Sequence, residues 1–204
     1  MHRFHSRFAL LACVCLVVLA TSAPAAVIRV KWDSATDGPG STWANACHTV
    51  TAAIAAAEAG DEIWVAGDAA HPYAENIALK DGVGLYGGFA GGETTRDQRD
   101  WNTNVTILDG GSRRVVAAFN VASATTVLDG FTVRNGSDGI YCLSSSPTIT
   151  NNTIAANSSR GIYCWSSSPT ITNNTISGSD QGGISCWSSS PTITNNTISG
   201  NEWY

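Results

Sequence analysis

The chain has 204 residues, 13% charged and 43% hydrophobic, with 20 glycines and a formal net charge of −5. That balance disfavours nucleic-acid binding, which relies on clustered Lys and Arg, and it disfavours adhesion to acidic lipid. Six cysteines are present without a CxxC grouping, so composition offers no metal framework.

Residues 1–25 carry Arg3 and Arg7, then the apolar run ALLACVCLVVLA, then TSAPA. This is the pattern of a secretory signal peptide, with Ala23 and Ala25 at the small-residue positions before the cut. LLAC at 10–13 resembles a lipoprotein site, but the apolar run continues past Cys13. The run is shorter than the roughly 20 apolar residues of a spanning helix, and no second one follows. The expected chain is therefore secreted, periplasmic or cell-surface, with no transmembrane segment in its mature part. Cleavage removes two arginines and leaves nine basic against sixteen acidic side chains, a net of −7.

Residues 26–60 begin with a strand, VIRV, and pass through a Gly/Pro/Ser loop. The Ala-rich TVTAAIAAAEAG then predicts a helix, with Thr as N-cap and Gly60 to stop it. Residues 61–135 predict strands at EIWVAG (62–67), NIALK (76–80) and GVGLYGGF (82–89). TILDGG (106–111) and TVLDGFTV (126–133) are degenerate versions of the unit that follows, with Val127, Leu128 and Val133 one coil before Thr148, Ile149 and Ile154.

Residues 136–204 hold three near-identical units: SSSPTITNNTIAA at 144–156, and SSSPTITNNTISG at 166–178 and 188–200. Cys142, Cys164 and Cys186 are 22 residues apart, as are Pro147, Pro169 and Pro191, and Asn152, Asn174 and Asn196. A fixed period of this length marks a solenoid whose units bury their apolar faces against one another. Ile and Thr alternate, β-branched residues dominate, and no apolar stripe has helical spacing. Turn signals fall at the Ser-Ser-Ser-Pro run, the Asn-Asn pair and the Gly-rich junction. Three short strands and three bends per unit predict an all-β parallel β-helix of about 22-residue coils. The helix in 26–60 then becomes a cap over the first coil's unpaired core. SGNEWY ends the third unit, and the expectation is a fragment of a longer array.

Alternation turns three isoleucine columns inward: Ile140/162/184, Ile149/171/193 and Ile154/176/198. Cys142, Cys164 and Cys186 form a fourth column, expected buried, reduced and free of metal. In-register neighbours on parallel strands are poorly oriented for a disulfide torsion of about 90°. His48 beside Cys47 is a lone pair without further ligands. The second Asn of each pair (Asn152, Asn174, Asn196) suits a bend with positive φ, its amide reaching the equivalent Asn of the next coil. The Asn-Asn-Thr runs also match glycosylation sequons, and a buried ladder is preferred to three glycans per stack.

SSSPTITNNTISG, with GGI at the junction (182–184), resembles the repeat of the pectin-lyase-like superfamily of right-handed parallel β-helices. STWANA, AGDEIWVA and VGLYGGFAGGETTRDQRDW are similar to the segment that precedes such repeats in many secreted bacterial proteins. Together they cover nearly all of the mature chain. The resemblance implies right-handed coils and an asparagine ladder, and says little about activity. Catalytic members of the superfamily place clustered Asp residues, often with His, Lys or Arg, on one face to bind calcium and abstract a proton or hydrolyse a glycosidic bond.

The three units contain only Asp138, Asp180 and Glu202 as acids and Arg160 as a base. Hydrolysis needs two suitably spaced carboxyl groups. Asp138 and Arg160, 22 apart, predict a stacked surface ion pair worth about 0.2–1 kcal/mol. The alternative is an acid and arginine at a lyase site, and calcium enters only under that alternative. Asp109 and Asp129 precede Gly in LDG and read as turn residues. No catalytic residue, cofactor or metal ligand is assigned.

Tyr141, Tyr163, Trp165 and Trp187, with Leu143, should project outward from the strand whose inward residues are Ile and Cys. Ser185 interrupts the Tyr column. These four aromatics are the candidate glycan-binding residues. The competing reading is that stacked rings stabilise successive coils and await cover from a partner. The expected function is a secreted, non-catalytic β-helix presenting a surface to polysaccharide or a cell-surface protein. The alternative is a polysaccharide lyase or glycosidase-like enzyme.

Overall fold

The computed structural model describes residues 25–202, so the leader expected at 1–25 lies almost wholly outside the described residues. Short strands alternate with tight bends and wind into a right-handed parallel solenoid of about six turns. The strands are β1 (Val27–Val30), β2 (Glu62–Ala66), β3 (Ile77–Ala78), β4 (Gly84–Phe89), β5 (Thr106–Asp109) and β6 (Val116–Phe119). The coils continue with β7 (Val127–Asp129), β8 (Phe131–Arg134), β9 (Ile140–Leu143), β10 (Thr148–Thr150), β11 (Thr153–Ala155) and β12 (Ile162–Trp165). Those that follow are β13 (Thr170–Thr172), β14 (Thr175–Ser177), β15 (Ile184–Trp187), β16 (Thr192–Thr194) and β17 (Thr197–Ser199).

They stack into three sheets, ordered β1-β2-β4-β7-β10-β13-β16, β5-β8-β11-β14-β17 and β3-β6-β9-β12-β15. Register follows the repeat. One inward column of the first sheet runs Ile28, Ile63, Leu85, Leu128, Ile149, Ile171, Ile193. Val133, Ile154, Ile176 and Ile198 line the second sheet. Ile140, Ile162 and Ile184, with the cysteines beside them, line the third. Branched side chains on period-two strands leave one face to bury, and a slip of one residue would expose all of it. β1, in the segment read as a cap, pairs with β2 as the first rung of the first sheet.

The helix α1 (Val50–Ala56) buries Val50 and Ala53 and packs against β1, β2 and β3. Thr49 is its N-cap, accepting from Ala52 N at 3.2 Å, and Glu75 receives the N–H groups of Val50 and Thr51 at 2.9 and 2.8 Å. The helix stops at Ala57, before the expected Gly60. Ala57 is extended and buried, and its carbonyl accepts from Lys80 Nζ. Contact with the core thus overrides alanine propensity for the last turn.

The asparagine pair divides its labour differently from the expectation. The first Asn carries the positive φ: Asn151 +54°, Asn173 +56°, Asn195 +55°. The second turns inward, with Asn152 and Asn174 buried. Asn152 Nδ2 donates to Asn174 Oδ1 at 3.0 Å, and Asn174 Nδ2 to Asn196 Oδ1 at 2.9 Å. A serine file that the sequence reading missed runs along the bend between the third sheet and the first. Ser145 N donates to Ser167 Oγ at 3.1 Å and Ser167 N to Ser189 Oγ at 3.0 Å.

Asp109 and Asp129 also depart from the expectation of plain turn residues. Asp109 accepts from Arg134 Nε at 3.0 Å and Asn135 Nδ2 at 2.7 Å. Asp129 is buried against Arg99. Both partners come from other coils or loops, out of reach of a local motif.

A third file contains a gap. Gly136 N donates to Asn157 Oδ1, and Ser179 N to Asn201 Oδ1, both at 3.0 Å. Ser179 stands where its neighbours are Asn, and its buried Oγ has no partner. Gly161 lies over Ser179 as Gly139 lies over Asn157 and Gly183 over Asn201, so room for an amide is already present. Ser179→Asn should let Oδ1 accept from Asn157 N, as Asn174 does from Asn152 N. At about 0.5–1.5 kcal/mol per bond, the melting temperature should rise by roughly 1–6 °C. A lower melting temperature in calorimetry would refute this account of the gap.

Acidic side chains hold several bends. Asp100 is kept below the ordinary carboxylate range by the Thr103 hydroxyl first, then by the N–H groups of Asn102 and Thr103. Asp37 is lowered chiefly by the Thr49 N–H, with further help from the Thr49 hydroxyl and the His48 N–H. A carboxylate with a depressed folded pKa contributes stability above its unfolded pKa, near 3.9, and loses it as pH falls through the folded value. The midpoint in urea should therefore be flat from neutral pH to about pH 5 and fall below about pH 4. A midpoint independent of pH down to about 2 would exclude this contribution.

Candidate functional site

The outward face of the third sheet is set by alternation. Inward Val116, Ile140, Ile162 and Ile184, and inward Ala118 and the three cysteines, leave two outward columns. One is Ala117, Tyr141, Tyr163, Ser185, and the other is Phe119, Leu143, Trp165, Trp187. The rings form a continuous track. Centroids lie 5.9 Å apart for Phe119–Tyr141, 5.4 Å for Tyr141–Tyr163, 6.1 Å for Tyr163–Trp165 and 6.2 Å for Trp165–Trp187. These tilted and edge contacts suit ring quadrupoles; all but Tyr163–Trp165, which lies within β12, join neighbouring coils. Ser167 Oγ and Ser189 Oγ donate to the Trp165 and Trp187 carbonyls, both at 2.8 Å, and so tie the serine file to the end of each Trp strand.

The four candidate aromatics are not equally open. Trp165 is 43% and Trp187 63% exposed, and Phe119, which the sequence reading missed, is 45% exposed. Tyr141 is buried, contrary to expectation, and Tyr163 is half-buried. The cause is a cover of arginines. The guanidinium of Arg114 sits 3.8 Å from the Tyr141 centroid, and that of Arg160 sits 4.1 Å from Tyr163, within cation–π range.

Asp138 anchors both covers. Its carboxylate is only 7% exposed and lies 3.4 Å from Arg114 Nε and 3.4 Å from Arg160 Nη1. The expected surface pair of Asp138 and Arg160 is thus a three-member cluster around a buried acid. Asn76, Arg113, Arg114, Phe119 and Asp138 line an open groove where the track begins. Chemically, this face offers stacking surfaces and hydrogen-bond donors. Among the described residues, no three His, Cys, Asp or Glu side chains converge as a metal site, and no helix is long and apolar enough to cross a membrane.

Beneath the track lie the thiols. Cys142 and Cys164 are buried and all three cysteines are free, but Cys186 is exposed, which corrects the expectation of a fully buried column. Cys142 and Cys164 are covered by the coils on either side, whereas among the described residues Cys186 has a neighbour in the third sheet on one side only. The Cys164 thiol is pushed far up by its contact with Cys142 and then by burial. Partial burial, with Cys164 beside it, pushes Cys186 up to about 11. Both are protonated at neutral pH and are weak nucleophiles.

A family model described as right handed beta helix region matches residues 81–204. No curated protein and no solved structure gives a significant match. The matched span exceeds half of the chain and takes in every strand from β4 to β17, with the stacked register and ladders described above; the chain belongs to the right-handed β-helix family.

Proposed function

We propose that this protein is an exported, non-catalytic β-helix that holds polysaccharide on the outer face of its third sheet. The observation that carries the reading is the file of open rings, Phe119, Trp165 and Trp187, along the solenoid axis. Flat apolar rings bordered by serine hydroxyls suit the apolar faces and hydroxyl rims of sugars. The serine file holds the backbone carbonyls of Trp165 and Trp187, and fixing the strand ends that carry the rings lowers the ordering cost of binding. A lyase reading would give catalytic work to Asp138. Its buried carboxylate instead holds Arg114 and Arg160 over the tyrosines, which makes Asp138 a positioning group for the cover.

Trp165→Ala with Trp187→Ala should weaken retention on an insoluble polysaccharide by roughly 25-fold. Each exposed ring is taken as worth on the order of 1 kcal/mol, at the low end of stacking on aromatic platforms, with about 1.4 kcal/mol per decade. The melting temperature should fall only slightly, because Trp187 is mostly open and Trp165 nearly half open. Unchanged retention with a lower melting temperature would mean that the rings serve only to pack successive coils.

A further inference from the structure

We propose that Asn173 and Asn195 are acceptors for N-linked glycans and that the fold closes the remaining sequons of the chain. The proposal shares with the functional reading only the premise of export. Asn-x-Ser/Thr occurs at Asn104, Asn135, Asn151, Asn157, Asn173 and Asn195. The ladder asparagines Asn152, Asn174 and Asn196 are followed two residues later by Ile and are not acceptors. Ladder and glycan therefore do not compete for the same side chain. The buried Asn serves the ladder, and the left-handed Asn before it serves the sequon.

Four of the sequons are closed. Asn157 is buried, with Oδ1 accepting from Gly136 N and Nδ2 donating to the Ala155 carbonyl. Asn104 Nδ2 donates to the Gly88 carbonyl at 3.2 Å, and the hydroxyl of its Thr106 is buried. Asn135 is itself exposed, but its Nδ2 is held by Asp109 at 2.7 Å, and half-buried Asn151 gives its Nδ2 to Asp129 at 2.9 Å. Asn173 and Asn195 are different. Both are exposed at φ near +55°, as are Thr175 and Thr197. None of these four side chains makes a hydrogen bond among the described residues. The bend that carries them joins the first sheet to the second, so a glycan there leaves the aromatic face of the third sheet free.

The co-substrate is an oligosaccharide carried on a polyprenyl diphosphate. The asparagine Nδ2 bonds to the sugar's anomeric carbon, the bond from that carbon to the diphosphate oxygen breaks, the polyprenyl diphosphate leaves, and one amide proton passes to the transferase and solvent. Transfer happens on the chain before the coils close, so the fold decides which products survive. A glycan on Asn157 or Asn104 blocks closure of its coil, whereas one on Asn173 or Asn195 points into solvent. Adjacent strands are only about 4.8 Å apart, so two glycans on neighbouring coils crowd and singly modified chains should predominate.

The test is expression of the full chain in a eukaryotic secretory host. Occupancy is read by glycosidase release in heavy-oxygen water and peptide mass spectrometry of the folded, secreted fraction. Glycan is expected at Asn173 or Asn195 and at none of the other four. Thr175→Ala with Thr197→Ala should abolish it while leaving secretion and melting temperature unchanged, and Thr→Ser at both should retain it. Folded chains with both sites empty, folded chains modified at Asn104, Asn135, Asn151 or Asn157, or chains retained in the cell with every sequon empty would overturn the proposal.

Discussion

Asn174→Ala should destabilise the solenoid by about 3–5 kcal/mol, from two or three buried polar groups left unpaired at roughly 1–3 kcal/mol each. Asn174 Oδ1 accepts from Asn152 N at 2.9 Å and from Asn152 Nδ2 at 3.0 Å. Its own Nδ2 donates to the carbonyls of Ile149 and Thr172 at 3.0 and 2.9 Å, besides Asn196. Alanine removes all of these at once and leaves Asn152 N–H facing a dry interior. Asn174→Asp retains the acceptor oxygens but loses the donors and buries a charge, so it should be at least as damaging. Asn196→Ala should cost clearly less, since Asn196 is only half-buried. Urea titrations of the three variants provide the check. Equal small losses at 174 and 196 would mean that the ladder is decoration on a fold held by the isoleucine columns alone.

The second large effect is expected where the regular repeats begin. Arg99 Nη2 lies 2.6 Å from Asp129 Oδ2, with side chains only 8% and 11% exposed. Arg99 also donates to the carbonyls of Gly87 and Asp129 at 3.0 and 3.2 Å, and its guanidinium lies near the rings of Tyr86 and Trp101, 5.3 and 4.9 Å from their centroids. Asp129 Oδ1 takes Asn151 Nδ2, so one carboxylate joins the 90–105 loop to the first regular coil. Asp129→Ala should cost about 3–5 kcal/mol, because it strands a buried guanidinium. Arg99→Met with Asp129→Leu should cost far less than the sum of the single changes, since no charge is then left unpaired. A double-mutant cycle measures this directly, and additivity of the two single losses would show that the pair is not coupled.

The regular coils were legible because identical residues recur at one spacing, so register, inward columns and the ladder partners followed from period and alternation. The two asparagines of each pair defeated the same logic, as both a left-handed bend and an amide ladder suit Asn. A discriminating signal was present one coil earlier. Gly130, at φ +81°, stands opposite Asn151, and Phe131 stands opposite Asn152. A glycine opposite the first Asn marks that position as the left-handed one. The covered tyrosines were not legible. Arg114 reaches Tyr141 from the bend before β6, and only the fold of that bend brings guanidinium, ring and Asp138 together. Residue alternation decides which side chains point outward, but it does not say which of them another segment will cover.

The openness of Trp165 and Trp187 beside covered Tyr141 and Tyr163 is the centre of the functional account. Hydroxyl-radical footprinting with and without a bound polysaccharide tests it most directly. The account predicts protection of Trp165, Trp187 and Phe119 on binding, with Trp101, exposed on another face, oxidised equally in both states. Binding that protects Trp101 or the first sheet while Trp165 and Trp187 stay fully reactive would contradict it.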